Sequence, residues 1–517
     1  MEDLRNDEIA QALATSSAWP TADGSVEWIQ THISHIFLVG DRVFKLRKAI
    51  RLPFLDFSTR RLRNADCLRE IALNRRLSPT VYLGVAPVIC REGSLRIGPT
   101  EEFPKDVESE HVVVMRRLPS RHDALSMLQR DQLEPRHLEA VAERIQKFHA
   151  CHGLGCPAPW NASAWFERIV EPAHACVRAI ADSNLVSDER VEALKSKTQM
   201  RLTSLQTRFE ARRLEGRAVD GHGDLHLDHV WFEMGFDEPL VIDCLEFNDD
   251  LRRIDSASEV AFLAMDLCYR ERKDLAEVFL HAYASRADDY GLFGVVDFFA
   301  AYRALVRAKV AALAALQASI AEEQRAKARQ SVESHLTLAE TFLEPPANAH
   351  PGLIVICGTV GSGKSTVARE LALTGRGIPI ASDRLRKALA GLSATARTAA
   401  KPDQGIYRAD RTDRVYRGLL ERAEPVIEGG RTAILDASFS TRALRDAARS
   451  WAADRGIPIR LIEVRCDPIV AENRLRERER VDLDPSDAGP DFLPISRARF
   501  EAPDEWPDSD HQVIWSS

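Results

Sequence analysis

No run of apolar residues in this sequence is long enough to span a bilayer; even ALVRAKVAALAALQASI is interrupted by Arg307 and Lys309, so it reads as a buried or amphipathic helix. No CxxC pair occurs among the nine cysteines, and their odd, scattered arrangement argues against a disulfide framework or a zinc site and fits reduced thiols. The start, MEDLRNDEIA, lacks the positive and then apolar pattern of a secretory signal, which makes the cytoplasm the expected location, with no membrane partner. There is no basic excess either. A net charge of -8 and a pI near 6.1 argue against nucleic acid as the main partner, although a local basic channel stays open. Internal repeats and low-complexity tracts are absent. What remains is ordinary for a globular chain: 45% apolar and 29% charged residues over 517 positions, too many for one core and enough for two to four domains. Nothing in this inventory fixes the oligomeric state.

The clearest break is EPPANAHPG, residues 344–352, where three prolines and a glycine interrupt everything helical before it. Upstream, about Val26 to Met115 alternates short β-like runs (HIFLVG, RVFKLR, HVVVMRRL) with one helical stretch, DCLREIALNRRL. From about Arg136 to Phe342 the pattern is helical except for HVWFEM and PLVIDCLEF, which bracket a turn. Beyond the break, strands and helices alternate, and such alternation predicts a parallel sheet covered on both faces. The expected division is a small strand-rich lobe at 1–118, a helical lobe at 119–343, a linker at 344–352 and an α/β domain at 353–517.

In that last domain GTVGSGKST matches GxxxxGK[ST] between an apolar run and a helix-forming run. Glycines at 358, 361 and 363 let backbone N–H groups of Gly358, Gly361, Ser362, Gly363 and Thr366 close round phosphate oxygens, with the helix adding its positive end. Lys364 would neutralise the β and γ phosphates and Ser365 would hold Mg²⁺. A turn that merely links strand to helix is the bland alternative. Asp383 and Asp436 each end an apolar run, so in a doubly wound sheet both should line the ligand crevice; a helix cap is the plain alternative for either. Arg474 and Arg478, at i and i+4, share a helix face and could close over a triphosphate, or belong to a solvated charged helix with Arg476 and Arg480.

GTVGSGKST, SDRLRK, AILDASF and CDPIVAENRLRER together resemble the small P-loop kinases, the group that includes gluconate kinase-like, zeta-toxin-like and polynucleotide kinases, over about Pro351 to the end. The resemblance implies ATP as donor and a hydroxyl acceptor, Asp383 as base or acceptor-orienting residue, and Asp436 in the Walker B role.

Further upstream, DGHGDLHLDHVW holds Asp224 in a turn, and Asp243 ends the run PLVID, so a short hairpin would bring the two carboxylates together as base and metal ligand. Lys45 sits on an expected strand and Glu70 on the next expected helix, where a buried pair would fix the lysine over the α and β phosphates; taken singly, a surface lysine and a helix glutamate are the default readings. In this order Lys45, Glu70, HGDLHLDH and IDCLEFN resemble the aminoglycoside phosphotransferase and choline kinase-like branch of the protein-kinase fold, over about Ser25 to Leu343. In that family the turn reads HGDxxxxN and the asparagine binds magnesium; here the place belongs to His229. Three readings stay open: His229 is a metal ligand, with Mn²⁺ suiting nitrogen better than Mg²⁺; it bonds a ligating carboxylate; or the site is catalytically weakened. The resemblance makes Asp255 a structural acid bracing the loop, and His222 a holder of the backbone. His226 could do the same or approach substrate. VVVMRRLP resembles the interlobe hinge. No GxGxxG loop is present, which argues against a protein substrate.

The expectation is therefore an α/β multidomain enzyme: a two-lobed, protein-kinase-like α+β module followed by a P-loop parallel-sheet domain. It would transfer phosphoryl groups from ATP to small hydroxylated acceptors at one site per module. The alternative makes the P-loop module a nucleic-acid or nucleotide-sugar kinase and the first module a regulatory nucleotide binder.

Overall fold

The computed structural model of this chain describes residues 6–19, 26–52, 55–91, 94–102, 104, 108–233, 238–318, 320–344, 351–392, 396, 404–480 and 489–516. Of the expected linker, 345–350 lie outside the described residues. The chain forms two compact units, Met1–Pro159 with Glu215–Glu259, and Trp160–Leu214 with Val260–Ser517.

In the first unit a six-stranded sheet has the order Glu27–Gln30, Ser34–Val39, Arg42–Arg47, Glu110–Arg116, Tyr82–Arg91, Ser94–Ile97, and the pairs are antiparallel. Successive side chains of a strand point to opposite faces, and the packing follows that alternation. Phe44, Leu46, Val112 and Val114 join a core with Ile9 and Leu13 of the helix Asn6–Leu13. Val113 and Met115, with Val43, face Cys67 and Ile71 of the helix Arg60–Asn74. Lys45 and Arg47 share the helix-facing side with Val43, which is why two cations are carried inwards. That helix starts where Thr59 accepts the Leu62 N–H and turns Asp66 and Glu70, four residues apart, towards the sheet. Ser34–Val39 and Arg42–Arg47 are joined by the tight turn at Gly40 and Asp41, where Gly40 takes a φ of 57°, so no long loop stands there to cover a phosphate. The sequence reading anticipated one hairpin after the sheet, and Val230–Trp231 with Leu240–Val241 forms it. A second antiparallel pair, Ala218–Asp220 with Arg253–Asp255, escaped that reading because three-residue strands leave no periodic signal.

The second unit holds the helices Ala162–Asp182, Asp188–Leu214, Lys273–Ala287, Val296–Leu316 and Glu322–Leu343, the last two lying along each other, and a five-stranded parallel sheet. Val296–Leu316 is apolar on more than one side: Ala304, Leu305, Ala308 and Ala312 are buried, whereas Val310, Leu313 and Leu316 are exposed. No helix among the described residues is long and apolar enough to cross a membrane. The sheet order is Ile378–Ala381, Ala433–Asp436, Leu353–Cys357, Ile459–Arg465, His511–Trp515. Its fifth strand, in the tryptophan-ended tail, was not anticipated. Leu353–Cys357 is central, with the chain passing to either side of it, so its carboxyl end is a topological switch point.

Ion pairs fix the sheet domain to the helices of this unit. Arg431 reaches Glu277 and Asp297, each at 2.9 Å; Arg422 reaches Asp288 at 2.7 Å; and the Tyr290 hydroxyl donates to the Pro379 carbonyl at 3.2 Å. Arg431→Met would leave two carboxylates facing each other in a mostly dry place. The expected cost is on the order of 2 kcal/mol, below the value for fully buried pairs because all three groups keep some exposure. It should appear as a lower urea midpoint for this unit, with a smaller loss in Arg431→Lys.

Candidate functional site

The first site begins with the two inward cations. Lys45 Nζ donates to Glu70 Oε1 and to Asp243 Oδ1, both at 2.7 Å. Arg47, 1% exposed, donates to Asp66 Oδ2 at 2.7 Å, to Glu70 Oε2 and Glu246 Oε1 at 2.6 Å, and to Ser34 Oγ at 2.9 Å. Glu70 is thus gripped by one cation on each oxygen. Burial disfavours charge on Lys45, yet Asp243 and Glu70 outweigh it and keep the ammonium protonated far above its ordinary range. Glu246 goes the other way: burial, with Glu70 and Asp66 nearby and Arg47 opposing, raises it to about 8.

The turn that carries Asp224 is held from behind. Glu259, fully buried, accepts the N–H groups of His222 at 2.9 Å and Gly223 at 3.0 Å. A side chain at Gly221 would put its Cβ 2.7 Å from that carboxylate, and Gly223 has a φ of 85°. Glu259 thus braces the loop, and Asp255 accepts the Ala257 N–H at 2.8 Å at the start of the next helix. His222 donates from Nε2 to the Ile242 carbonyl at 2.8 Å and accepts the Asp224 N–H at Nδ1, 3.3 Å away. That pattern requires the neutral ring, and burial, with His229 adding to it, lowers its pKa to about 3.

His229 donates from Nδ1 to the Asp224 carbonyl at 2.8 Å, because a carbonyl can only accept; Nε2 is left with its lone pair, 3.6 Å from Asp243 Oδ2. Burial, then the neighbouring His226, lowers the His229 pKa, which keeps that lone pair available. Asp243 has a φ of 62°, uncommon for a non-glycine residue, and its N–H is held by the Tyr82 hydroxyl at 3.0 Å. Burial would raise both acids, but Lys45 and then His229 hold Asp243, and His226 and then His229 hold Asp224, well below the usual carboxylate range. Lys45, Glu70, Asp224, His229 and Asp243 thus meet in one place. The donor set, two ionised carboxylates and one imidazole nitrogen, fits a divalent cation and suits Mn²⁺ at least as well as Mg²⁺.

In the second unit the phosphate loop leaves the central strand and enters the helix Lys364–Leu373. Gly358 has a φ of 145°, and a Cβ there would stand 2.5 Å from the Val464 carbonyl; Gly363 has a φ of 93° and caps the helix. The Ser362 hydroxyl is buried without a hydrogen-bond partner, and Lys364 Nζ donates to the Thr359 carbonyl at 2.8 Å. Ser365 and Thr366 are exposed in the first helical turn, where N–H groups have no intrahelical partner. An orphan hydroxyl, a lysine and free N–H groups round a glycine cradle fit a bound phosphate.

Asp436 ends its strand opposite Ile356 and Ala381, is nearly buried, and interacts with the Ser365 hydroxyl. Burial raises its pKa against the pull of Ser365 and Lys364. Asp383 lies in the first turn of the helix Ser382–Leu389 without being its cap, and Asp383, Asp436 and Arg478 all act electrostatically on Lys364, whose pKa burial lowers. Arg474 Nη1 donates to Ser516 Oγ at 2.9 Å and lies 3.5 Å from the Gly361 carbonyl. Arg476, by contrast, is exposed and paired with Glu472 at 2.6 Å. The fold thus gathers Asp383, Asp436, Lys364, Ser365, Arg474 and Arg478 about the loop. Arg47, Glu246, Glu259 and Ser516 were missed; Arg47 alone carried a signal, its position two residues from Lys45 on one strand.

Comparison with known proteins agrees with this two-part construction. The Phosphotransferase enzyme family matches residues 47–294, and an AAA domain family matches residues 353–503. Uncharacterized proteins of Mycobacterium tuberculosis H37Rv and Mycobacterium bovis are each 32% identical over 464 residues, covering 88% of this chain and 86% of theirs. Among solved structures, a choline/ethanolamine kinase family protein from Mesorhizobium loti is 13% identical, covers 66% of this chain and 95% of that one, and has a TM-score of 0.40. A gluconokinase from Sinorhizobium meliloti 1021 is 20% identical, covers 32% and 84%, and has a TM-score of 0.23. The first region is a mixed α/β module that matches the Phosphotransferase enzyme family, and the C-terminal domain is a parallel sheet with a phosphate loop that matches the AAA domain family. The chain belongs to the family of those mycobacterial proteins, and it is a phosphotransferase enzyme in which a Phosphotransferase-family region precedes an AAA domain.

Proposed function

We propose that this chain carries two ATP-dependent phosphotransferase sites, each directed at a hydroxyl of a small molecule such as a sugar, an amino alcohol or an antibiotic-like compound. The module boundaries proposed are 1–118 and 119–343 for the first site, 344–352 as linker and 353–517 for the second. The observation that carries the reading is the continuous chain of contacts from Glu70 through Lys45 and Asp243 to His229 and Asp224. It supplies a cation for the donor phosphates, a metal locus and a carboxylate base in one place, which is what transfer to an alcohol requires.

In the first site Lys45, oriented by Glu70, grips the donor phosphates. Asp224 accepts the proton of the acceptor hydroxyl, and Asp243 and His229 would hold the divalent cation, Mg²⁺ or Mn²⁺. Such a cation, when bound, neutralises charge on the phosphates. The fixed tautomer of His229 favours the ligand reading over a weakened site. In the second site the loop from Gly358 to Thr366 cradles the triphosphate, Lys364 neutralises it, and Ser365 and Asp436 would hold Mg²⁺. Asp383 orients the acceptor, and Arg474 and Arg478 close over the donor.

The test incubates the full chain with ATP and pooled hydroxylated metabolites and follows newly phosphorylated species by mass spectrometry. Asp224→Asn should remove one set of products, slowing transfer by about 10²–10⁴-fold with the ATP KM nearly unchanged, as for loss of a general base. Lys364→Ala should remove the other set and spare the first. A single set that vanishes with Lys364→Ala and survives Asp224→Asn would defeat the two-site reading.

Glu70→Gln keeps the shape of the pair but weakens its hold on Lys45, so the ATP KM of the first site should rise by about tenfold, near the 1.4 kcal/mol of one charge-assisted hydrogen bond. Gly358→Ala would force its Cβ into the Val464 carbonyl. Nucleotide binding at the second site, followed by calorimetry in an Asp224→Asn, Glu70→Gln background, should then be lost.

A further inference from the structure

Just past the strand that ends at Asp436 the backbone is strained. Phe439, buried, takes a φ of 39°, a left-handed conformation that bulky side chains rarely adopt. Two bonds hold it there: the Tyr416 hydroxyl oxygen accepts the Phe439 N–H at 3.1 Å, and Arg445, fully buried, donates to the Phe439 carbonyl at 3.0 Å. The Tyr416 and Phe439 rings meet edge to face with centroids 4.9 Å apart. Such strain persists only where the surroundings over-determine it, and it gathers at ligand sites. The residue it aims is Ser438.

Ser438 stands on the rim of the phosphate loop. Its carbonyl accepts the Gly358 N–H at 3.1 Å, and the carbonyl of the next loop residue, Thr359, accepts Lys364 Nζ at 2.8 Å. Asp383 acts electrostatically on both Tyr416 and Lys364. The Ser438–Tyr416 pair thus borders the crevice shared by Lys364, Asp383 and Asp436.

The hydrogen bonds also set which way the protons point. Tyr416 Oη and Ser438 Oγ are 2.8 Å apart, and that distance alone allows either to donate. A backbone N–H can only donate, so the Phe439 bond uses the tyrosine oxygen as an acceptor and leaves the phenol proton to be placed. Tyr416 is buried, and among the described residues Ser438 Oγ is the acceptor it meets. The phenol therefore donates to Ser438, and the O–H of Ser438, which is half-buried, is left to donate into the crevice. Each link in such a chain polarises the next, so the last donor is stronger than an isolated hydroxyl.

We propose that Ser438 is a catalytic residue of the second site, donating a hydrogen bond to the phosphoryl group in transfer, and that Tyr416 is the residue that positions it. Charge spread over the oxygens of such a group favours donors fixed in advance around it. The inference rests on the reading that this loop takes ATP.

Calorimetry on the full chain in Mg²⁺ tests both and tells them apart. The isotherm that Lys364→Ala removes belongs to the second site, and it is followed with ADP and with the β,γ-imido analogue of ATP, which differ by the terminal phosphoryl group. Ser438→Ala should weaken the analogue about tenfold, the worth of one hydrogen bond to a charged group, and leave ADP within about twofold. Tyr416→Phe should weaken the analogue by a smaller factor and spare ADP, and the double variant should bind no more weakly than Ser438→Ala alone, because the tyrosine acts through the serine. Equal binding of the analogue by wild type and Ser438→Ala overturns the proposal, and so does an equal loss for ADP and the analogue, the mark of a loop merely held in shape. Additive losses, or a loss of ADP binding in Tyr416→Phe, overturn the part given to Tyr416 alone. A wild type with no Lys364-dependent isotherm for either nucleotide defeats the ATP reading of the loop, and the proposal with it.

Discussion

A lysine carried inwards on a strand must find a carboxylate, and Lys45 finds two, one on a helix of the sheet lobe and one on the segment after the Asp224 turn. Much of the first site follows from that constraint. Glu70 cannot serve Lys45 alone, because Arg47 takes its other oxygen, and Arg47 in turn reaches Glu246, three residues beyond Asp243. The two cations on one strand face thereby tie the sheet to the segment that carries the metal-facing acid. Lys45 and Arg47 answer four acidic side chains, and burial eases the imbalance by raising Glu246 to about 8 and Asp66 above the usual carboxylate range.

The second unit solves the same electrostatic problem by other means. Its positive field comes from backbone N–H groups at a helix start and from Lys364, with the acids Asp436 and Asp383 at the same strand ends. Glycine is required at 358 and 363 by backbone conformation, and at 358 also by the Val464 carbonyl, so the loop is shaped by the neighbouring strand as well as by its own sequence. Under the proposed function both arrangements would serve by positioning and charge neutralisation in place of a covalent intermediate, which is the common logic of phosphoryl transfer.

Histidine in the metal-facing position is where chemistry departs from the pattern the sequence resembles. An asparagine offers oxygen; an imidazole offers nitrogen, with a tautomer that depends on its outer bond. Here the outer bond runs to the Asp224 carbonyl, so the backbone of Asp224 decides which nitrogen of His229 faces Asp243.

Strongly patterned features were legible from the chain alone: the parallel sheet, the phosphate loop with its strand and helix, the strand bearing Lys45 and the helix bearing Glu70. Each depends on periodicity or on local spacing, which the sequence states directly. Three-residue strands, the tail strand ending at Trp515, the bracing by Glu259 and the contact between Arg474 and Ser516 were not legible. They arise from groups about 33 to 50 residues apart in the chain meeting in space, and separation of that kind has no local signature. Composition and motif thus determined the class of chemistry and the phosphate-binding parts. Only the tertiary structure decided which carboxylate each buried cation takes and which face His229 turns to the site, because both depend on desolvation and hydrogen-bond geometry among groups far apart in the chain.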